Sequence, residues 1–428
     1  MKIAFYTLGC KVNQYESQAL LELLEKEGFL GCSENADVCV INTCTVTGES
    51  DKKSKKTVRR AIRENPGAYV LVAGCASQVD GKCFAAIKGV DYVCGNREKA
   101  ALAPLILRYK ETGEKTCGLS IADLSGKGYE AMELSRFERT RAYMKIEDGC
   151  ESHCAYCIIP RARGPICSRP LTDCIEEARR LVASGYEEIV LTGIEVSAYG
   201  NDLENTDLAT LLEALSGIKG LLRVRLSSID PSFLRPSFVD RIASLPVVAP
   251  HFHLSLQSCS DGTLRRMRRR YNSEILKRNL GYLMEKIPAV RFTADVIVGF
   301  PGETEEEFEE TCAFLKTLPL LHTHVFPFSA RPDTEAAAMD GQLSEEIKKA
   351  RCAQLIALCD KIRDALLEKE LGKSYTVLFE QRKQDLALGH TANFIEVGVK
   401  SPCDLCGCSY TVTLTHHKDG VALGELHD

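Results

Sequence analysis

The first 110 residues alternate short apolar runs with longer amphipathic stretches. The apolar runs at residues 3–7, 38–42, 69–73 and 92–93 have the length and composition of strands, and residues 14–27 and 49–64 have helical periodicity. Alternation of this kind predicts an α/β domain with a doubly wound parallel sheet. We expect this domain to occupy residues 1–120, with the connection to the next domain falling within residues 111–136.

The same alternation resumes near residue 139, now with more units. Six further strands are predicted at residues 143–147, 188–191, 223–227, 252–256, 295–298 and 323–328. Six parallel strands with intervening helices predict a partial (βα)6 barrel over residues 136–366. In such barrels the functional groups lie at the carboxyl ends of the strands.

The pattern changes to that of an antiparallel β structure near the end of the chain. A predicted helix at residues 361–371 ends at Gly372, and strands follow at residues 375–380, 394–399 and 410–414, separated by turn-forming residues. Residues 367–428 are therefore predicted to form a small antiparallel β barrel, an architecture that often binds nucleic acids.

Composition narrows the class of protein. A length of 428 residues suits two or three domains, and a net charge of -5 argues against a protein that coats nucleic acid with its whole surface. No apolar run approaches the roughly 20 residues that span a bilayer, and the first residues do not resemble a signal peptide. We therefore expect a cytoplasmic protein with no membrane partner, whose 20 cysteines are metal ligands and buried thiols rather than disulfides.

Three closely spaced cysteines follow the first predicted barrel strand. Cys150, Cys154 and Cys157 have the spacing Cys-x3-Cys-x2-Cys, and Tyr156 directly precedes the last of them. A structural zinc site or a simple ferredoxin cluster uses four protein ligands, so three thiols leave one coordination position open. The alternative is a loop of buried or zinc-binding cysteines. The pattern resembles the cluster loop of radical S-adenosylmethionine (SAM) enzymes, which implies a 4Fe-4S cluster whose open iron binds SAM, with Tyr156 near the adenine.

A second group of three cysteines is predicted in the first domain. Cys10, Cys44 and Cys75 each follow a different predicted strand, and the carboxyl ends of parallel strands share the edge where such sheets bind ligands. The alternative is that they are ordinary buried thiols.

Residues 8–17, Leu-Gly-Cys-Lys-Val-Asn-Gln-Tyr-Glu-Ser, resemble the opening of the methylthiotransferases, a subgroup of radical SAM enzymes, and the resemblance extends over essentially the whole chain. It implies that Cys10, Cys44 and Cys75 hold a second 4Fe-4S cluster. It also implies that a methylthio group replaces a C–H hydrogen, with two SAM molecules used per turnover, one as radical source and one as methyl donor.

Residues 11–17 resemble the branch that modifies C2 of threonylcarbamoyladenosine beside the anticodon. The implied partners are the tRNA anticodon stem-loop, a reductant such as flavodoxin or ferredoxin, and a sulfur donor. Two alternative substrates are isopentenyladenosine in tRNA and an aspartate of a small-subunit ribosomal protein. An alternative of another class is a non-catalytic iron–sulfur protein that binds RNA or transfers electrons.

The resemblance also assigns cofactor contacts at later strand ends. Gly193 and Glu195 match the segment that binds the SAM amino group, although this segment departs from the commonest Gly-Gly-Glu form. Gln257 and Ser258 match SAM or substrate contacts at the barrel mouth, and Val298 matches a strand that contacts adenine. No residue is assigned as a general acid or base.

Basic clusters and a last group of cysteines complete the candidates. Residues 52–63 and 265–270, together with Arg161 and Arg163, are predicted phosphate contacts, the alternative being solvated or salt-bridged helix faces. Residues 389–394 resemble the TRAM domain, an RNA-binding module. A final set of residues is weighed as a zinc site: Cys403, Cys406 and Cys408 with His416 or His417.

Overall fold

The computed structural model describes residues 1–137 and 139–427, and its first domain is the predicted parallel sheet. The strands are β1 (Lys2–Thr7), β2 (Leu30–Gly31), β3 (Val38–Thr43), β4 (Tyr69–Gly74), β5 (Tyr92–Cys94) and β6 (Gly118–Ser120), in the order β2-β1-β3-β4-β5-β6. The helices are α1 (Lys11–Lys26), α2 (Gly48–Glu64), α3 (Cys75–Ala85) and α4 (Leu102–Thr112). Every residue of β3 and β4 is buried, as expected for central strands covered by helices on both faces.

The four predicted strands of this domain are confirmed, and two further strands are present. β2 and β6 contain only two and three residues, too few to show an alternating pattern. β6 lies inside the segment predicted as a connection, so part of residues 111–136 belongs to the sheet.

The central domain is the predicted partial barrel. Its strands are β7 (Ala142–Lys145), β8 (Glu147–Asp148), β9 (Cys167–Ser168), β10 (Glu188–Thr192), β11 (Arg223–Leu226), β12 (Ser228–Ile229), β13 (His251–Gln257), β14 (Arg291–Val298) and β15 (Leu320–Pro327). The parallel strands run β7-β10-β11 and then β12-β13-β14-β15, with β12 directly continuing β11, while β8 and β9 form a short antiparallel ribbon. All six predicted strands are therefore confirmed.

Helices cover the outside of this barrel. They are α5 (Ile159–Arg163), α6 (Leu171–Ala183), α7 (Leu208–Ser216), α8 (Pro236–Ile242), α9 (Asp261–Arg266), α10 (Ser273–Lys286), α11 (Glu305–Leu315), α12 (Glu335–Ala338) and α13 (Glu345–Glu368). The helix predicted at residues 361–371 is only the end of α13, which begins 16 residues earlier and buries Leu355 and Cys359 in the barrel core. No described helix is long and apolar enough to cross a bilayer.

The carboxyl-terminal domain is a closed five-stranded barrel. Its strands are β16 (Ser374–Lys383), β17 (Leu386–Thr391), β18 (Glu396–Lys400), β19 (Ser409–Lys418) and β20 (Val421–Leu426), in the order β16-β17-β18-β20-β19. The predicted small β barrel is confirmed, but β17 and β20 were not predicted. Both contain a glycine that interrupts the apolar pattern of a strand.

This β barrel packs against the amino ends of the central strands. Arg225 on β11 donates through Nε to Glu188 (2.8 Å) and through Nη1 to the carbonyl of Ala392 (3.1 Å). Phe394 stacks on His251, the first residue of β13, with ring centroids 4.3 Å apart. The amino ends of the strands are thus covered, and their carboxyl ends remain free for a site.

A buried ion network joins the first domain to the central barrel. Glu16 on α1 binds Lys145 at the end of β7 (2.8 Å), Arg163 on α5 (2.9 Å) and Lys99 (2.8 Å), and Lys145 also binds Asp148 (2.7 Å). These side chains are at most 3% exposed. Although burial acts to raise it, the pKa of Glu16 is held well below its usual value by the three cations. Buried charges are tolerated here because each is paired with a group of opposite sign, and Glu16 is paired with three.

We predict that Lys145→Met lowers the free energy of unfolding by about 3–5 kcal/mol, because it leaves Glu16 and Asp148 buried with fewer cations. Denaturant unfolding measures the loss. The matched control is Lys400→Met, since Lys400 is 82% exposed and pairs loosely with Asp385 (3.9 Å). Its loss should stay below about 1 kcal/mol. Equal losses in the two variants would contradict a structural role for the network.

Candidate cluster and cofactor site

The loop between β8 and α5 carries Cys150, Cys154 and Cys157, at the carboxyl end of the first barrel strand as predicted. The backbone N–H of Ser152 donates to the Cys150 sulfur (3.3 Å), and that of Ile159 donates to the Cys157 sulfur (3.4 Å). Hydrogen bonds of this kind stabilise thiolate charge in iron–sulfur sites. The loop is therefore shaped to present sulfur ligands.

Arg269 supplies the third hydrogen bond to this group. Its Nη1 donates to the Cys154 sulfur (3.3 Å), and its Nη2 donates to Asp230 (2.7 Å). The side chain is only 8% exposed. The predicted phosphate contact is therefore wrong for Arg269, which faces a thiol instead.

The second group, Cys10, Cys44 and Cys75, lies at the carboxyl ends of β1, β3 and β4 as predicted. Two glycines with positive φ precede members of this group, Gly9 (+97°) and Gly74 (+109°). A Cβ on Gly9 would lie 2.9 Å from the Cys44 sulfur, and one on Gly74 would lie 2.5 Å from the Thr43 carbonyl oxygen. Glycine is needed at both turns because no other residue fits the conformation and the space.

Arg163 connects the two cysteine groups. Helix α5 starts two residues after Cys157 and ends at Arg163, whose Nε donates to the Cys75 sulfur (3.1 Å). The same guanidinium binds Glu16 and Asp148, and it is fully buried. Arg163 is therefore not a phosphate contact, and the prediction for it is wrong.

Burial keeps several of these thiols protonated when no metal is bound. It raises the pKa of Cys150 to about 12, with a contribution from the Glu195 carboxylate, and that of Cys157 to about 11. Burial also raises the pKa of Cys10 and Cys44. Metal binding at these positions must therefore release protons.

Each cysteine set offers three thiolates, a number of donors that suits a four-iron cluster with one open iron. Within residues 1–137 and 139–427, no three His, Cys, Asp or Glu side chains converge on one ion. In a four-iron cluster each thiolate binds a different iron, so three sulfurs need not converge. The zinc hypothesis for Cys403, Cys406 and Cys408 gains no support, because these thiols are exposed and His417 pairs with Glu368 (3.2 Å).

The predicted SAM contacts nearest the loop lie close to Cys150. Tyr156 meets Phe300 edge to face, with centroids 6.2 Å apart. The Glu195 carboxylate is 3.9 Å from the Cys150 sulfur. The N–H groups that follow Gly193, those of Ile194 and Glu195, donate to buried Glu147 at 2.9 and 2.8 Å. Glu147 was missed as a site residue, since only its place in a strand was visible in the sequence.

The other predicted contacts lie at the ends of β13 and β14. Gln257 is half-buried and has a positive φ of +59°. The buried Ser258 shares a hydrogen bond with Thr311 on α11 (3.2 Å), so its hydroxyl is directed at that helix. Val298 is buried at the end of β14. Contact of these side chains with SAM stays a prediction.

A cavity of about 570 Å³ lies inside the partial barrel, and its polar lining was not predicted. Lys11, Arg141 and Arg225 line it together with several histidines. Four of these histidines occupy alternate positions of two strands, namely His251, His253, His322 and His324. A period of two places such side chains on one face of a strand, and this is the signal that the sequence offers.

The basic clusters differ in how far they are available to RNA. The exposed cations of α2 are Lys52, Lys53, Lys56, Arg59, Arg60 and Arg63. In residues 265–270, Arg265, Arg268 and Arg270 are exposed, although Arg268 pairs with Glu335 (2.7 Å). Arg266 is bound to Glu307. The surface of α2 therefore keeps the stronger potential for phosphate.

Comparison with known proteins agrees with this organisation. Residues 144–315 match the Radical SAM superfamily, and residues 2–95 match the Uncharacterized protein family UPF0004. A solved structure of the radical S-adenosylmethionine methyltransferase TsrM from Kitasatospora setae, with cobalamin and a [4Fe-4S] cluster bound, superposes with a TM-score of 0.58. It is 15% identical and covers 78% of this chain and 73% of its own, which shows the fold alone.

Closer relatives are similar along the whole chain. The threonylcarbamoyladenosine tRNA methylthiotransferase MtaB of Bacillus subtilis (strain 168) is 39% identical over 414 residues, 95% of this chain and 92% of the relative. The tRNA-2-methylthio-N(6)-dimethylallyladenosine synthase of Pelotomaculum thermopropionicum is 34% identical over 391 residues, 89% of this chain and 87% of the relative. With the folds of both cysteine-bearing domains as predicted, the chain belongs to the radical SAM methylthiotransferase family.

Proposed function

We propose that this enzyme replaces the C2 hydrogen of threonylcarbamoyladenosine, next to the anticodon in tRNA, with a methylthio group. The observation that carries the proposal is the contact of Arg163 with Cys75 (3.1 Å), because it places two three-cysteine groups at the two ends of one short helix. Two incomplete sites so close together suit a reaction that needs both a radical and a sulfur.

The loop of Cys150, Cys154 and Cys157 would hold the first four-iron cluster. With SAM bound, that cluster would supply the reductive cleavage of SAM that generates a radical able to take hydrogen from an unactivated carbon. The chain contributes position and charge. Arg269 offsets the charge of the Cys154 thiolate, and the Tyr156 and Phe300 rings form an apolar wall beside the loop.

Cys10, Cys44 and Cys75 would hold a second four-iron cluster that carries the sulfur to be transferred. A second SAM per turnover would provide the methyl group. Arg163 then holds Cys75 in place while it compensates thiolate charge. A low-potential reductant such as flavodoxin or ferredoxin and a separate sulfur donor would complete the partners.

Exposed cations and the β barrel support RNA as the substrate. The basic face of α2 carries no paired carboxylate at Lys52, Lys53 or Lys56 among the described residues, and such clusters neutralise phosphates. An unpaired anticodon-loop base also enters a protein pocket at a cost of a few kcal/mol or less. We place the reaction in the cytoplasm because its substrate is tRNA.

We choose threonylcarbamoyladenosine as the modified base because of the names of the relatives. Five further relatives that carry the threonylcarbamoyladenosine name are 34–37% identical to this chain. An enzyme for dimethylallyladenosine in tRNA is the second candidate, favoured by two relatives named tRNA-2-methylthio-N(6)-dimethylallyladenosine synthase that are each 34% identical.

Replacing the three cysteines of the β8–α5 loop by Ala should abolish SAM cleavage and leave the iron of the amino-terminal site. The reason is that the open iron for SAM is lost while the second sulfur set is untouched. Iron content and 5′-deoxyadenosine formation by the anaerobically reconstituted protein measure both effects. Cys117→Ala, an exposed thiol outside both groups, is the control. Cleavage of SAM by the triple variant would refute the role of this loop.

The variant in which Cys10, Cys44 and Cys75 are all replaced by Ala should separate SAM cleavage from methylthiolation. It should still form 5′-deoxyadenosine with SAM and reductant, because the SAM-binding loop is intact, but it should give no methylthiolated product. Mass spectrometry of digested tRNA detects the product. Unchanged iron content in this variant would mean that these residues are simply buried thiols.

A parallel assay identifies the substrate. The purified enzyme is offered threonylcarbamoylated tRNA, isopentenylated tRNA and the small-subunit ribosomal protein, and we expect methylthiolation of the first alone. Product on the ribosomal protein alone would exclude an RNA substrate. Product on isopentenylated tRNA alone would keep the RNA reaction and reject the threonylcarbamoyl substrate. Nucleoside analysis of tRNA from a deletion strain, with loss of the methylthio derivative, is the cellular counterpart.

A further inference from the structure

The cavity inside the partial barrel lies between the second cysteine group and the β barrel. Lys11, the residue after Cys10, lines one part of it, and Phe394 and His390 of the carboxyl-terminal domain line another. At about 570 Å³ it is large enough for a small ligand or a substituted base. The lining is mainly polar and charged, so the cavity is built for a polar group.

The part of the cavity near Lys11 carries more positive than negative charge. Two arginines of the cavity lining act on the charge of Lys11, and each is paired with a carboxylate: Arg141 binds Glu380 (2.8 Å), and Arg225 binds Glu188 (2.8 Å). Arg223, which lies outside the lining, also binds Glu188 (3.3 Å), so three arginines share two carboxylates at this end.

Lys11 adds a further cation to this end of the cavity. No carboxylate lies within ion-pair distance of it in residues 1–137 and 139–427. Burial, with the nearby Arg141 and Arg225, lowers the pKa of Lys11 to about 8, and Asp295, which binds His253 at 3.2 Å, acts in the opposite direction. Lys11 is thus a cation whose hydrogen-bonding positions are free to take a ligand.

The pKa values of the histidines that line the cavity are consistent with nearby positive charge. Burial lowers the pKa of His251 well below its usual value, helped by Arg225 and other cations, and burial also lowers those of His322 and His324. These imidazoles are neutral at pH 7 and can donate or accept hydrogen bonds. Two carboxylates of the β barrel, Glu396 and Asp419, also line the cavity.

We propose that this cavity binds the carboxylate-bearing substituent of the modified base, with Lys11 as the partner of the carboxylate. The inference rests on the proposed function and names the residue that selects its substrate. A threonylcarbamoyl group carries a carboxylate and a hydroxyl, whereas a dimethylallyl group is an uncharged hydrocarbon. A cationic, imidazole-lined cavity can pair with the carboxylate and hydroxyl of the threonylcarbamoyl group. A dimethylallyl group would displace water from the polar groups of the cavity without offering them new hydrogen bonds.

The position of Lys11 in the chain fits this role. A base whose C2 receives sulfur at the Cys10 site must lie next to Cys10, and Lys11 is the following residue. Its side chain enters the cavity from the start of α1. The substituent on the same edge of the base then reaches the cationic end of the cavity without a change in the fold.

The test compares anticodon stem-loops that differ only in one group. Holoenzyme with both sites reconstituted is titrated with a stem-loop bearing threonylcarbamoyladenosine and with one in which the threonine carboxylate is a methyl ester. We expect the acid to bind roughly tenfold or more tightly than the ester, the factor for one hydrogen-bonded charge. Lys11→Met should bring that ratio close to one, and Lys11→Arg should keep most of it.

Lys26→Met is the matched control, because Lys26 ends the same helix with its side chain 67% exposed. It should retain the wild-type ratio. Iron content and 5′-deoxyadenosine formation confirm that both sites are loaded in each variant. The ratio of the affinities for acid and ester in the wild-type enzyme tests the carboxylate site without any variant, even if Lys11→Met fails to assemble.

Equal affinity of the wild-type enzyme for acid and ester would overturn the carboxylate site, and so would an undiminished ratio in a loaded Lys11→Met variant. Failure of the proposed function has a different signature. In that case the wild-type enzyme gives no methylthio product on the threonylcarbamoyl stem-loop but does so on a dimethylallyl stem-loop.

Discussion

The buried ion network between α1 and the first barrel strand fixes the geometry of both cysteine groups. Among residues 1–137 and 139–427, the ion pairs of Lys99, Lys145 and Arg163 are with two carboxylates, Glu16 and Asp148. The network therefore holds an excess of positive charge away from water. Such an excess is costly unless an anion lies beside it. The Cys75 sulfur, 3.1 Å from Arg163, is that anion once it is a thiolate. Metal binding at Cys75 would therefore be coupled to domain packing through one guanidinium.

The two ends of the barrel are used differently because they carry different contacts. At the amino ends, Arg225 and Glu188 bind each other, and Arg225 also binds the carboxyl-terminal domain. At the carboxyl ends, Cys150 and Glu195 lie within 3.9 Å of each other and belong to different strands' loops. The small β barrel thereby closes the end at which the strands begin. A substrate base must reach the cysteine groups from another side.

The sequence predicts the parts of the site that are local. Two features are visible in the sequence: the spacing of Cys150, Cys154 and Cys157, and the position of Cys10 after a strand. Each is a pattern that spans only a few residues. The sequence does not predict that Arg163 and Arg269 are buried, since both depend on contacts with residues far away in the chain. The same limit applies to the two-residue strand β2, whose pairing is decided by its neighbour β1 rather than by its own pattern.

One buried arginine contacts each cysteine group, and each arginine donates hydrogen bonds both to a cysteine sulfur and to a carboxylate. Arg269 gives one N–H to Cys154 and another to Asp230, and Arg163 gives one to Cys75 and others to Glu16 and Asp148. Arginine cannot lose its proton, so each sulfur has a permanent positive neighbour that a carboxylate holds in place. Charge and hydrogen bonds at the sulfurs set the potential of an iron–sulfur cluster. A cluster held by either cysteine group would therefore have its potential set partly by an arginine outside the cysteine segments.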